Sequence, residues 1–354
     1  MIVKNKFLSC AVLVSGLVCA SLLTMISTVV HADEPTTKAV VIMYHRFGEN
    51  DIPSTNVTME QFRAHVEELK TGGYNVTSLP EIIAALRNGD KLPPKTVGLS
   101  VDDAYESVFT RAWPILRDAG FPLTVFIAAD PVEQHTPRYM NWDQLRTLAD
   151  EGVTIGSQTS YHPHMADLSA EAVKTELRVS NALFEEKFGR APDLFAYPYG
   201  EASNKVMALV KNAGFVAAFG QHSGAIGSGS PLYYLPRFAM NEAYGSIDRF
   251  RLAANALPIS VTDITPDNPT IGEPNPPLIG FTTIWPENGL DRMSCFASHV
   301  ETLDIQRLGR RIEVRTDQPM PPGRTRLNCT MPAGNGSWYW FGRQFYVPKK
   351  IQTD

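Results

Sequence analysis

Residues 97–105 read Val-Gly-Leu-Ser-Val-Asp-Asp-Ala-Tyr, and this stretch decides the fold. Residues 97–101 form a near-continuous apolar run, which is typical of a strand buried on both faces of a parallel sheet. Two adjacent carboxylates, Asp102 and Asp103, follow the run directly. Adjacent carboxylates repel each other unless a cation or a proton is present, so the pair indicates a metal site, with a helix cap or a solvated turn as the alternatives.

Five further apolar runs of this kind lie along the chain. They alternate with stretches of helical periodicity, which predicts an α/β fold of parallel strands joined by crossover helices. The predicted strands are 39–44, 97–101, 123–127, 153–156, 194–197 and 216–219.

Two helices between these strands have clear sequence signals. Thr58 and Gln61 fit a capping box, which predicts a helix that begins after Thr58. A second helix is predicted to end at Gly189. Their apolar faces consist of Met59, Phe62, Val66 and Leu69 in the first helix and Val173, Leu177, Phe184 and Phe188 in the second.

The N-terminal segment 1–32 has the features of an export signal. Lys4 and Lys6 precede an apolar run over residues 7–30, and small residues precede the polar sequence that begins at residue 33. An uncleaved membrane anchor is the alternative, because about 20 apolar residues span a bilayer. After cleavage only Cys295 and Cys329 remain, which favours one disulfide in an exported protein over two buried thiols.

The net charge argues against one class of partner. The 354 residues include 37 acidic and 32 basic side chains, for a formal charge of −5. Such a chain has no basic field to attract a phosphate backbone, so no nucleic-acid partner is expected. The oligomeric state is left open.

Composition changes after residue 257. Residues 258–278 are rich in proline, which disfavours a helix or a central strand and predicts a linker. Short alternating segments separated by turns follow over residues 279–354, and they predict a small all-β sandwich. The predicted organisation is therefore a signal peptide (1–32), an α/β domain (33–257), a linker (258–278) and a β-sandwich (279–354).

Polar residues cluster where the predicted strands end. His45 follows the first strand, Gln158 to His164 follow the fourth, and Tyr199 follows the fifth. In parallel α/β folds the carboxyl ends of the strands form a shared site, so these residues are candidates for one functional centre. Imidazole is a common ligand for a borderline metal, which makes His162 and His164 candidate ligands.

Several ordered motifs resemble those of the metal-dependent polysaccharide deacetylases that share the nodulation-protein-B homology domain. The resemblance covers about residues 40–240. It rests on Tyr44-His45, Ser100-Val101-Asp102-Asp103-Ala104-Tyr105, Gly156-Ser157-Gln158-Thr159-Ser160-Tyr161-His162-Pro163 and Phe195-Ala196-Tyr197-Pro198-Tyr199-Gly200.

The resemblance implies a distorted (β/α) barrel and the hydrolysis of N-acetyl groups on an amino-sugar polymer. It implies that Asp102 is the general base, that Asp103 and His162 bind a divalent metal, and that the Tyr199 N–H stabilises the oxyanion. Zinc is the first expectation for the metal, with cobalt or nickel as alternatives. The implied partner is an N-acetylated carbohydrate polymer such as chitin, poly-N-acetylglucosamine or peptidoglycan, and an association with the cell envelope is a further expectation.

The sequence departs from the family pattern at three positions. Gln158 stands where the family has a histidine ligand, so Gln158, a water or His164 completes the metal site. The family's late Leu-x-His reads Leu235-Pro236-Arg237 here, which leaves His45 and His222 as candidates for the general acid. Ala104 replaces a glycine, which is a milder change and is tolerable if the backbone there keeps a negative φ. A carbohydrate-binding or envelope-organising protein that keeps the scaffold but has lost turnover is therefore the alternative to an active deacetylase.

Overall fold

The computed structural model describes residues 1–2 and 37–349. The predicted signal peptide lies almost entirely outside the described residues. Within the described part of the chain, no helix combines the length and the apolar character needed to cross a membrane.

A curled parallel sheet forms the first architectural unit. The path β10-β1-β5-β6-β7-β8-β9 runs parallel except at β10, which pairs with β1 in the antiparallel sense. All six strands predicted from the apolar runs are confirmed to within one residue at each end. The strands of this part of the chain are β1 (Lys38–Tyr44), β2 (Arg46–Phe47), β3 (Asn56–Val57), β4 (Asn75–Val76), β5 (Thr96–Asp102), β6 (Thr124–Ile127), β7 (Thr154–Ser157), β8 (Leu194–Ala196), β9 (Ala217–Phe219), β10 (Ile226–Gly227) and β11 (Phe238–Ala239).

Helices cover the outer face of this sheet, which is the arrangement of a (β/α) half-barrel. The capping box at Thr58 is present, and the second predicted helix ends at Gly189 in the left-handed conformation, as expected. The helices are α1 (Met59–Thr71), α2 (Leu79–Asn88), α3 (Trp113–Asp118), α4 (Ala129–Glu133), α5 (Trp142–Asp150), α6 (Ala170–Phe188), α7 (Asn204–Asn212) and α8 (Ile247–Ala254).

Two four-stranded sheets follow and enclose a second apolar core. One sheet has the order β12-β19-β18-β15 and the other β13-β14-β17-β16. The core contains side chains from both sheets, among them Phe281, Ile312, Leu327 and Phe345, so the predicted β-sandwich is confirmed. The strands are β12 (Leu257–Pro258), β13 (Ser260–Thr265), β14 (Ile279–Trp285), β15 (Ser294–Ala297), β16 (Asp304–Leu308), β17 (Arg311–Arg315), β18 (Gly323–Gly334) and β19 (Ser337–Val347).

A disulfide joins two neighbouring strands of the sandwich. Cys295 on β15 and Cys329 on β18 are opposite each other in the antiparallel ladder and are bonded. The predicted disulfide is therefore present, and the alternative of two free thiols is not.

The interpretation of residues 258–278 as a linker needs a correction. Strand β13 lies inside this segment and pairs with β14 as an edge strand. Residues 260–265 carry β-branched side chains and no proline, so the segment keeps the backbone donors that a strand needs. The limits of the α/β domain and of the sandwich stay predictions.

Candidate active site

Strand β5 directs Asp102 into the interior of the curled sheet. Alternate residues of a strand face opposite sides. Val97, Leu99 and Val101 belong to the core beneath the outer helices. Ser100 and Asp102 therefore face the interior, and the Asp102 side chain is fully buried.

Arg237 binds Asp102 in this interior. The Arg237 Nη1 and Nη2 atoms donate to the two carboxylate oxygens of Asp102 at 2.6 and 2.9 Å. Arg237 Nε donates to the Gly220 carbonyl at 2.9 Å, and Nη1 also donates to Ser100 Oγ at 3.3 Å. The Gln221 amide nitrogen adds a 3.4 Å hydrogen bond to Asp102 Oδ2. Both partners of the ion pair are 0% exposed, so this bidentate pair is shielded from water.

This pairing keeps Asp102 ionised. Burial by itself raises the pKa of a carboxylate. The Arg237 guanidinium, followed by His45, outweighs burial and holds the pKa of Asp102 below its ordinary value. Asp102 is thus an anion that can accept a proton. The sequence did not predict this role of Arg237, because an isolated arginine in a loop has no pattern that links it to Asp102.

His45 lies beside this pair. Its Nε2 atom is 4.0 Å from Asp102 Oδ2, and its side chain is 13% exposed, which leaves a path to solvent. The structure therefore brings Asp102 together with His45, one of the two predicted candidates for the general acid.

Asp103 and His162 form the neighbouring part of the cluster. Asp103 Oδ1 is 3.5 Å from His162 Nε2, and both side chains are partly exposed. Burial lowers the pKa of His162, although Asp103 and Asp102 act in the opposite direction. A neutral imidazole next to a carboxylate is a suitable pair of ligands for a borderline divalent metal.

The side-chain amide of Gln158 is buried and has no hydrogen-bond partner among the described residues. Gln158 follows β7, it is 0% exposed, and its backbone N–H donates to the Ile127 carbonyl at 2.8 Å. Its side-chain Oε1 and Nε2 atoms have no hydrogen-bond partner within residues 37–349. A buried amide of this kind costs about 1–3 kcal/mol when unsatisfied, which indicates a missing partner.

The donors present fit a divalent metal only with an unusual third ligand. No three His, Cys, Asp or Glu side chains among the described residues lie close enough to form a metal site. Asp103 and His162 supply two ordinary donors. The Gln158 Oε1 atom is buried without a partner among the described residues, and its role as a third, weaker donor stays a prediction.

His164 is engaged elsewhere. Its Nδ1 atom is 2.7 Å from Glu201 Oε2, and its ring stacks on Tyr199 with 4.2 Å between centroids. The hypothesis that His164 replaces Gln158 as a ligand therefore requires this contact to break.

The turn after β8 carries Tyr199 to the same cluster. Its ring lies edge-on to His162, with 4.6 Å between centroids. Burial raises the pKa of Tyr199, and the nearby Asp103 carboxylate raises it further. Tyr199 thus lies next to the Asp103–His162 pair, as expected from the strand ends.

His222 contacts this cluster through its backbone, because the Arg237 N–H donates to the His222 carbonyl at 2.9 Å, but its ring packs elsewhere. It is 4% exposed, its ring packs against Tyr234, and its Nδ1 atom has no partner among the described residues. Burial lowers its pKa to about 3, and the next largest influence is Arg343 of the sandwich. None of the contacts described for His222 joins it to the carboxylate of Asp102 or Asp103.

Left-handed backbone is concentrated at the site. Asp103, Ala104, Thr159, His162 and Tyr199 all have positive φ, between 47° and 72°. The condition of a negative φ at Ala104 is not met, because its φ is 47°. Each such residue costs roughly 1–2 kcal/mol, and this kind of strain is typical of functional sites.

Known proteins match this part of the chain. The polysaccharide deacetylase family model matches residues 89–218. A poly-β-1,6-N-acetyl-D-glucosamine N-deacetylase of Staphylococcus aureus is 23% identical over 212 residues, which cover 56% of this chain and 73% of the relative.

Solved structures share the fold. The deacetylase PplD of Streptococcus pyogenes, solved in complex with acetate, superposes with a TM-score of 0.58 at 20% identity and covers 62% of this chain and 99% of its own. IcaB from Ammonifex degensii superposes with a TM-score of 0.55 at 20% identity, covering 61% and 97% of the two chains. The polysaccharide deacetylase family model thus matches the central part of the chain, and the resemblance predicted from the motifs is confirmed.

Proposed function

We propose that this protein is a metal-dependent hydrolase that removes N-acetyl groups from an amino-sugar polymer. The observation that carries the proposal is the buried Asp102–Arg237 pair beside the Asp103–His162 pair. One pair keeps a carboxylate ionised for proton transfer, and the other offers two donors to a cation.

Asp102 acts as the general base. It accepts a proton from the water that attacks the acetamide carbonyl carbon, and Arg237 holds the carboxylate in place. The C–N bond then breaks, acetate leaves, and the amine of the sugar takes a proton. The Tyr199 N–H donates to the developing oxyanion, a contact that strengthens in the transition state.

His45 is the preferred general acid. Its 4.0 Å separation from Asp102 puts it within the cluster, whereas His222 is buried among Tyr234 and the sandwich. His45 therefore delivers the proton to the leaving amine, and the role of His222 as an acid stays a prediction that the described contacts do not support.

Asp103, His162 and Gln158 are the residues that would hold the metal, with zinc proposed first and cobalt or nickel as alternatives. When bound, the metal polarises the acetamide carbonyl and makes water more acidic. The amide oxygen of Gln158 is a weaker donor than an imidazole, so a lower affinity than that of a three-residue His/Asp site is expected.

The substrate proposed first is poly-N-acetylglucosamine. The S. aureus relative is named for that polymer, which supports this choice over chitin oligomers and peptidoglycan. Export to an oxidising compartment is proposed from the predicted signal peptide and is supported by the Cys295–Cys329 disulfide.

A carbohydrate-binding protein without turnover is the second candidate function. Gln158 favours it, because a ligand set with only two ordinary donors binds metal less tightly. Such a protein would keep the fold and the polymer but release no acetate.

One experiment separates the two functions. The purified protein is analysed for bound zinc, cobalt and nickel, and acetate release is measured on poly-N-acetylglucosamine, chitin oligomers and peptidoglycan. Bound metal with acetate release supports the deacetylase. An empty site at micromolar metal, together with no acetate release from any of the three polymers, contradicts it and favours the binding protein.

A further inference from the structure

The sandwich holds the turn that carries Tyr199. Gln344 on β19 is 1% exposed, and its Nε2 atom donates to the Tyr199 carbonyl at 3.0 Å. Tyr199 has a φ of 58° and Gly200 a φ of 70°, so the turn has two successive left-handed residues. A non-glycine residue keeps this conformation only where its surroundings impose it.

The Gln344 amide is itself fixed in orientation. Arg326 Nε donates to Gln344 Oε1 at 3.1 Å, so the Nε2 end faces the Tyr199 carbonyl. The Tyr234 hydroxyl lies 3.0 Å from the Gly200 carbonyl and 3.2 Å from the Gln344 carbonyl. Both carbonyls of the turn are therefore held by buried side chains.

A second contact ties the same turn to strand β18. Glu201 is 1% exposed and pairs with His164 at 2.7 Å, and Arg324 Nε lies 3.7 Å from its other oxygen. The Arg324 guanidinium also lies 5.5 Å over the Tyr199 ring. Two adjacent strands of the sandwich thus contact the turn at separate points.

We propose that Gln344 is a positioning residue of the deacetylase site. By fixing the peptide that follows Tyr199, it keeps Tyr199 in the left-handed conformation on which the direction of its N–H depends. The sandwich is therefore a functional part of the enzyme as well as a neighbouring module. This inference rests on the proposed function, because it assumes that the Tyr199 N–H meets the oxyanion.

The kinetic test uses Gln344→Ala and Gln344→Glu in the full chain. Both variants remove the donor, and the glutamate places a carboxylate against a carbonyl oxygen. Because an oxyanion contact is made in the transition state, kcat for acetate release is expected to fall roughly 10- to 100-fold with KM nearly unchanged. Thr325→Val is the matched control, since Thr325 is equally buried on β18 and its hydroxyl has no partner among the described residues. Its kcat is expected to stay at the wild-type value.

Hydrogen exchange tests the positioning without relying on activity. The amides of residues 197 and 199–203 are expected to exchange faster in Gln344→Ala than in the wild type or in Thr325→Val. If the wild type releases acetate and Gln344→Ala keeps its kcat, the inference is overturned and the proposed function stands. If the wild type releases no acetate, the proposed function fails. If hydrogen exchange in this segment is also the same in Gln344→Ala as in the wild type, the positioning role is overturned as well.

Discussion

Asp102 and Gln158 are both fully buried polar residues at the ends of strands in one sheet, yet their surroundings differ completely. The Asp102 carboxylate has two hydrogen bonds to Arg237 and one to Gln221. The side-chain amide of Gln158 has no hydrogen-bond partner among the described residues. The hydrogen bonds of the first residue are complete within the protein chain, whereas the side chain of the second has no partner among residues 37–349.

This difference separates two kinds of functional residue. A buried charge must be paired for the protein to fold, so the partner of Asp102 has to come from the chain itself. A neutral amide can be buried at a smaller cost, and its partner can be an ion that binds after folding. The contrast is expected to appear in activity, stability and metal affinity.

The largest effect is expected for Asp102→Asn. An asparagine keeps the shape but cannot accept the proton, and loss of a general base costs about 10²–10⁴-fold in rate. Acetate release on poly-N-acetylglucosamine measures it, with circular dichroism to check folding. Bound metal is expected to stay at the wild-type level. A rate within tenfold of the wild type would remove Asp102 from the role of base.

Arg237→Met tests the completed position through stability. It leaves the Asp102 charge buried without its partner, which costs about 3–5 kcal/mol. Urea unfolding followed by fluorescence measures the change. The double variant Asp102→Asn/Arg237→Met removes both charges and is expected to lose less stability than the two single losses combined. Strict additivity would mean that the two side chains do not interact.

Gln158→Met tests the unpaired position in the presence of a chelator. A methionine of similar length removes the unsatisfied amide, so the free energy of unfolding is expected to rise by about 1–3 kcal/mol. Thermal unfolding in EDTA measures it. A loss of stability would show that the amide has a partner in solution.

Gln158→His tests the same position with metal present. An imidazole is a better zinc ligand than an amide, so zinc affinity is expected to rise by at least about tenfold, which equals about 1.4 kcal/mol. Competition with a chromophoric chelator measures it, with Gln158→Met as the control that offers no oxygen or nitrogen donor. An affinity equal to that of the wild type would mean that residue 158 does not face the metal.

The smallest effect concerns His222. Folding lowers its pKa from about 6.5 to about 3, so the unfolded chain binds more protons below pH 6.5 and stability falls as the pH falls. Between pH 7 and pH 5.5 this costs about 1 kcal/mol. His222→Gln is expected to reduce this acid sensitivity while kcat is kept, and His65, whose pKa burial lowers to about 4, retains its own share. A large fall in kcat would instead support His222 as the general acid.

Local patterns were sufficient for much of the fold. The six strands followed from apolar runs, and α1 and α6 followed from caps and periodic faces. Strand β13 was missed, because the prolines of residues 266–277 dominated the composition of that segment. Edge strands depend on a partner strand that is distant in the sequence, and composition does not contain that information.

The candidate site was predictable in its motif residues but not in its partners. Asp103 and His162 were candidates because they follow buried strands and because the family resemblance implies that they bind a metal, and they lie 3.5 Å apart. Arg237 was not identified, because it is 135 residues from Asp102 and an isolated arginine in a loop has no pattern of its own. Gln344 was not identified either, because it is 145 residues from Tyr199 and a glutamine within a strand has no pattern that links it to a distant turn.

The amino-acid sequence by itself determined which polar residues end the buried strands, because strand periodicity and motif spacing are local properties. Only the tertiary structure decided which of those residues acquire partners. It pairs Asp102 with Arg237 and brings the sandwich against the Tyr199 turn. It leaves the side-chain amide of Gln158 without a partner among the described residues. The physical reason is that burial makes every unpaired polar atom costly, and the partner is set by the path of the whole chain in space.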